Sequence, residues 1–145
     1  MIDRDARKIL SEQLRRLISG QITNDEFESV VLSVKTSDTG YWAVFEQAWQ
    51  LYSDLSEHKI DTRSLPQDAE EAINRSILFL HSGLEFEWPK HPCTGFTRLL
   101  AGAISFGRLP QYYDEKWKAE GDYDVYPFFR RSDFETAKTK ARLPV

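Results

Sequence analysis

The chain has a single cysteine, Cys93, so no internal disulfide can form and the fold rests on its core alone. That suits a reducing compartment, and a cytoplasmic location is expected. Long apolar runs are also missing. Met1 to Gly20 is interrupted by Arg7, Lys8, Glu12, Arg15 and Arg16, which is not the pattern of a secretory signal. The mildly apolar stretch from Thr94 to Leu109 contains Arg98 and Arg108 and is shorter than the ~20 residues a helix needs to cross a bilayer. An amphipathic helix lying on a membrane surface would offer anionic lipid only those two positive charges. No internal repeat, low-complexity tract or Pro/Gly/Ser linker divides the 145 residues, so one domain over 1–145 is expected, with a loose tail at 141–145.

An excess of positive charge is absent too. Net charge is −4; residues 21–92 carry −8, residues 1–20 and 93–110 carry +2 each, and residues 111–145 balance. Binding a duplex requires several cations on one face to replace phosphate counterions, and only the short basic N-terminal helix approaches that. The acidic middle favours a basic partner instead.

What the chain does have is apolar bulk: 41% apolar residues, including four Trp, six Tyr and nine Phe, enough for a continuous core. Ile9, Leu10, Leu14, Leu17 and Ile18 recur at helical spacing over Asp3 to Ser19, and Gly20 is placed to end that helix. Thr23 and Glu26 form a capping box, with Ile22 and Phe27 as its hydrophobic staple. The helix so opened presents Phe27, Val30, Val31 and Val34, a β-branched run that also suits a strand. Asp38 or Ser37 can cap a third helix carrying Tyr41, Trp42, Phe45, Ala48, Trp49, Tyr52 and Leu55. If Trp49 is core, Trp49→Ala costs about 3–5 kcal/mol. Ser64, Pro66 and Gln67 signal a fourth helix through Ala69, Ile73, Ile77 and Leu80 to Gly83, expected at the centre of the fold.

After Gly83 the pattern changes. Leu84, Phe86 and Trp88 alternate with Glu85 and Glu87 before Pro89 and Pro92, as in a short half-buried strand. A helix over Thr94 to Leu109 is weakened by Gly95, Gly102 and Gly107, and a further one spans Tyr112 to Ala119 around Tyr113 and Trp117. Tyr123 to Tyr126 reads as extended, and Ser132 with Glu135 as a capping box for a last helix. The fold class is therefore all-α, a mostly helical single domain, with a small two-stranded element near 84–88 and 123–126 as the competing feature.

Three strings span nearly the whole chain: Ile22-Thr23-Asn24-Asp25-Glu26-Phe27-Glu28, the run from Phe79 to Pro89, and the run from Tyr126 to Glu135. With the Arg-rich N-terminal helix, their order resembles a group of small bacterial proteins of unknown function. The resemblance implies a bacterial, stand-alone domain, and no activity or functional residue is carried over from it.

Two constellations could carry function. His81, Glu85, Glu87 and His91, with Cys93 nearby, offer two imidazoles and two carboxylates. Folded together by turns at Gly83 and Pro89, they would suit zinc, or iron or manganese with open positions. Their spacing matches no established metal motif, and glutamates on the wet face of a half-buried strand, with His81 at a helix end, are the ordinary reading of this pattern. Tyr126, Phe128, Phe129, Arg130 and Arg131 combine aromatics with arginines as binding hot spots do, although packing of the C-terminal segment explains them as well. Neither a nucleophile elbow around Cys93 nor a phosphate-binding glycine pattern is present. The leading expectation is a protein without catalysis of its own or a cofactor, an adaptor, regulator or toxin-neutralising protein that binds another protein. The rival is a divalent-metal enzyme using His81, Glu85, Glu87 and His91, with a glutamate as general base. A nucleic-acid regulator acting through the N-terminal helix is third.

Overall fold

Local chemistry sets where most helices start and stop. In the computed structural model, which describes residues 1–92, 100 and 102–142, Asp3 accepts a bond from the Ala6 N–H at 2.9 Å and opens α1 (Arg4–Ile18). Its end is a Schellman arrangement: Gly20 has φ 71°, its N–H donates to Leu17, and the Gln21 N–H donates to Arg16 at 2.9 Å. Both bonds of the Thr23–Glu26 capping box form, at 2.8 and 3.1 Å, and start α2 (Asn24–Ser33). The β-branched run therefore lies in helix. Asp38 caps α3 (Thr39–Trp49) through the Gly40 and Tyr41 N–H groups. Next comes α4 (Gln67–Ser82), ended by left-handed Gly83. The remaining described elements are α5 (Arg108–Lys118), a 3-10 turn (Tyr123–Val125) and α6 (Arg131–Arg142).

The helix α4 packs against α1, α3 and α6, the central position its apolar last turns predict. Its Ile73, Ile77, Phe79 and Leu80 join Leu10, Leu14 and Leu17 of α1, Phe27 and Val31 of α2 and Tyr41 and Val44 of α3 in one core. Rings interlock there: Phe79 meets Phe128 edge-on at 5.4 Å, and Phe27 stacks on Phe45 at 6.1 Å.

Several expectations are corrected. The third helix stops at Trp49, because the following loop finds its hydrogen bonds on Asn24. That amide donates to the Ser53 and Ser56 carbonyls and accepts from the His58 N–H. Leu55 is consequently 94% exposed and Trp49 49% exposed, its indole donating to Asp54 at 2.8 Å, so Trp49 is not core. Leu84, Phe86 and Trp88 do turn inward and Glu85 and Glu87 outward, but no strand forms there. Residues 123–125 are a 3-10 turn, and the described residues contain no sheet, only an isolated bridge between Thr23 and Lys59. Side chains take the carbonyls that a ladder would need: Arg7 bonds Leu84, Trp117 bonds Pro89, and Arg75 bonds Tyr126. Ser132 lies inside the first turn of α6 rather than at its cap, and Ala141 and Arg142 belong to its last turn. The expected helix from Thr94 falls partly on residues 93–99 and 101, outside the described residues, as do Cys93 and residues 143–145.

One buried contact joins residues far apart in the chain. Arg7 is 1% exposed and Asp38 1% exposed. Arg7 Nε and Nη2 donate to the two Asp38 oxygens at 2.6 and 3.0 Å, and Nη1 donates to the Leu84 carbonyl at 2.8 Å. Asp38 also accepts from the Asp3 N–H, and the guanidinium lies 5.0 Å from the Phe79 ring centre. This pair ties α1 to the start of α3 and to the segment after α4. Gly40 leaves the space for it: a Cβ there would sit 2.7 Å from Arg7 Nη2 and 2.9 Å from Phe79 Cε1.

Candidate functional site

The extended segment after Gly83 places Glu85 and Glu87 on its outward side, yet no return strand brings the histidines to them. His81, in the last turn of α4, has Nε2 3.4 Å from Arg15 Nη2. Burial and then the Arg15 charge lower its pKa, which favours the neutral ring. Glu85 lies 3.7 Å from the Met1 amino group. Glu87 holds Arg130 at 2.7 and 3.3 Å, a two-point carboxylate–guanidinium contact. His91 Nε2 is 2.8 Å from Asp114 Oδ1, and its ring faces Trp117 at 5.4 Å. The four side chains thus look to four different neighbours. Among the described residues, no group of three or more His, Cys, Asp or Glu is placed to hold a metal ion.

The second constellation faces mostly inward. Tyr126 packs 5.6 Å from Trp88, 5.6 Å from Trp117 and 5.7 Å from Tyr123. Burial raises its phenol pKa, with smaller contributions from Glu46 and Tyr123. Phe128 is fully buried against Phe79 and Phe134, and Phe129 lies 5.2 Å from Trp88. Arg130 and Arg131 stay at the surface, where Arg130 pairs with Glu87 and Asp133, and Arg131 with Asp122 at 2.8 Å and Asp124 at 3.7 Å. Aromatic area and charge here close the C-terminal segment onto the core. The cleft beside it, between Leu84, Glu87, Phe129 and Arg130, measures about 190 Å³, below the ~300 Å³ at which small-molecule sites begin. A larger open groove of about 430 Å³ runs between α1 and α2, with Arg16, Ile22, Asp25, Glu26 and Val30 on its walls. Its Glu26 is committed to capping α2.

The basic N-terminal helix is weaker than its composition suggests, since Arg7 is buried on Asp38 and Arg15 lies against His81. No helix among the described residues is long and apolar enough to cross a membrane.

The unspent surface lies elsewhere. Residues 102–105 are helical, and after Phe106 and Gly107, both at positive φ, the chain turns into α5. The Gly107 N–H donates to the Gly102 carbonyl at 3.0 Å, and the Leu109 N–H to Ser105 Oγ at 2.9 Å. Pro110 is buried, 3.7 Å from where a Gly102 Cβ would be. The turn thus closes through its small residues and leaves its large apolar ones outside: Phe106 is 96% exposed, Ile104 77% and Tyr112 55%, with Leu100 and Leu109 also exposed. The sequence pattern places Leu100, Ile104, Phe106 and Leu109 on a glycine-weakened helix over Thr94 to Leu109 and Tyr112 on the next helix, and does not tell whether they are buried. The usable signal was Gly102 and Gly107, which allow close backbone approach while burying no side chain of their own.

The chain matches no protein-family model, no curated protein and no solved structure.

Proposed function

We propose that this protein works by binding another protein, and that the turn from Ile104 into α5 is where the partner docks. The observation that carries this reading is the exposure of Leu100, Ile104, Phe106, Leu109 and Tyr112 on one short stretch, the densest run of exposed large apolar side chains among the described residues. Large apolar side chains grouped at a surface are a recurring mark of interaction sites. Burying Phe106 and Ile104 against a partner would yield roughly 1.5–3 kcal/mol each, enough to make them anchors. The two constellations that the sequence offers for chemistry or recognition are engaged within the molecule, which supports this turn over them as the docking surface. The reading is of an adaptor or regulator, and the single cysteine suits a reducing compartment such as the cytoplasm.

The test is a photo-crosslinking amino acid at Phe106, with a control probe at Leu55, which is equally exposed but lies in another loop. Illumination in cells producing the protein should give a discrete protein adduct from position 106 and none from position 55. No adduct from 106, or the same products from both, refutes the docking reading.

A further inference from the structure

We propose that the partner seated on this surface is a second copy of the same chain, held by antiparallel pairing of two α5 helices about a two-fold axis at Tyr112. The proposal rests on the docking reading above and adds the identity of the occupant. Its ground is the pattern of charge along the exposed side of α5. At 3.6 residues per turn, successive side chains are about 100° apart. Arg108 and Glu115 therefore fall on one flank of Tyr112, and Leu109 and Lys116 on the other. All five are at least partly exposed, and Trp117 and Pro110 take the opposite, body-facing side. Arg108, Glu115 and Lys116 make no ion pair among the described residues; Glu115 has only a long 3.4 Å bond from Gln111.

A two-fold axis perpendicular to two antiparallel helices keeps each flank facing the same flank of the other copy. Arg108, four residues before the axis, then comes level with Glu115 of the second copy, three residues beyond it. The same operation makes the second such pair. On the other flank Leu109 comes level with Lys116 of the second copy, whose methylene stem can cover it. Tyr112 meets its own equivalent at the axis. Phe106, just before Arg108, extends the apolar contact toward the far end of the second copy's α5. A parallel pairing would instead bring opposite flanks together, setting Glu115 beside Lys116 of the second copy and leaving Arg108 against Leu109 with no carboxylate across the seam. Reversing Arg108 and Glu115 together would not restore such a pair, whereas it restores the antiparallel one. Docking on an anionic membrane would use the same apolar residues, but it leaves Glu115 facing the lipid and unmatched, so the charge pattern favours the protein pair.

The test is analytical ultracentrifugation of the purified chain up to about 1 mM, in parallel with Phe106→Asp, Arg108→Glu, Glu115→Arg and the Arg108→Glu/Glu115→Arg double variant. All three side chains are exposed, and unchanged far-UV circular dichroism and thermal midpoint confirm that each variant is folded. The parent should form a dimer and Phe106→Asp a monomer. Each single charge reversal turns two attractions into two repulsions and should weaken the dimer by about tenfold or more, and the double reversal should restore it. A monomeric parent overturns the proposal, as does a dimer indifferent to these changes or one that the double reversal does not restore. A parent that stays monomeric yet sediments with vesicles of anionic phospholipid, and loses this with Phe106→Asp, overturns it in favour of a membrane. A monomeric parent whose position-106 probe captures a different protein would sink this pairing and leave the docking reading standing.

Discussion

Replacing Arg7 by methionine and Asp38 by asparagine, singly and together, tests the contact on which three parts of the fold converge. Arg7→Met removes two hydrogen bonds to Asp38 and one to the Leu84 carbonyl, leaving a buried carboxylate with only backbone donors. Asp38→Asn keeps an acceptor for the α3 cap but leaves the guanidinium buried without its counter-ion. Removing one partner of a buried pair costs roughly 3–5 kcal/mol, a large part of the ~5–15 kcal/mol that holds a domain together. The double variant carries no buried charge, and methionine fills most of the arginine's volume. Its loss should fall short of the sum of the singles by about 2–3 kcal/mol. Urea titration followed by far-UV circular dichroism measures all four corners of the cycle, provided the slope stays constant. Single losses below ~1 kcal/mol that simply add would refute the reasoning, since that is how a solvated surface pair behaves. The same pair sets an acid dependence. Burial alone would raise the Asp38 pKa, but the Arg7 hydrogen bond and charge, with N–H donors from Asp3 and Tyr41, hold it below the ordinary 3.8. A carboxyl with a depressed folded pKa contributes stability above its unfolded value and loses it as pH falls from 3.8 through the lower folded pKa. Acid titration of the parent should show that loss, and Arg7→Met should show less of it.

Trp49→Ala should change stability by less than ~1 kcal/mol and Phe79→Ala by about 3–5 kcal/mol, because Trp49 is 49% exposed and Phe79 is buried; equal losses in denaturant titration would contradict the placement of Trp49. The Tyr41 phenol donates to the Val31 carbonyl at 2.8 Å, and burial, then the Asp3 charge, push its pKa up to about 12. Its contribution is complete below the ordinary value of 10 and is lost as pH rises from 10 toward 12. Tyrosinate absorbance should therefore show one fewer late-titrating group in Tyr41→Phe than in the parent, and identical late titration in the two would argue against this burial. Thermal melts with added zinc and with chelator should superpose, since His81, Glu85, Glu87 and His91 hold different neighbours. A zinc-dependent rise in midpoint that disappears in His81→Ala/His91→Ala would show that the four can converge.

Several helix termini were legible in the sequence because their determinants lie within about four residues of each other. Gly20, the Thr23–Glu26 box, Asp38 and Gly83 each act through bonds to adjacent backbone, and each stands where the spacing places it. The alternation of Leu84 to Trp88 was likewise legible as burial, though not as a ladder. Periodicity also held a trace of the buried pair, since Arg7 falls in register with Leu10, Leu14 and Leu17 on the inner side of α1. What it could not give was Asp38, 31 positions away in the chain. Whether Trp49 is inside, whether Tyr126 faces a partner or Trp88, and whether His91 meets Glu87 or Asp114 were decided in tertiary structure alone. Those outcomes depend on which distant groups reach a side chain first, and sequence spacing carries information only about neighbours on the same element.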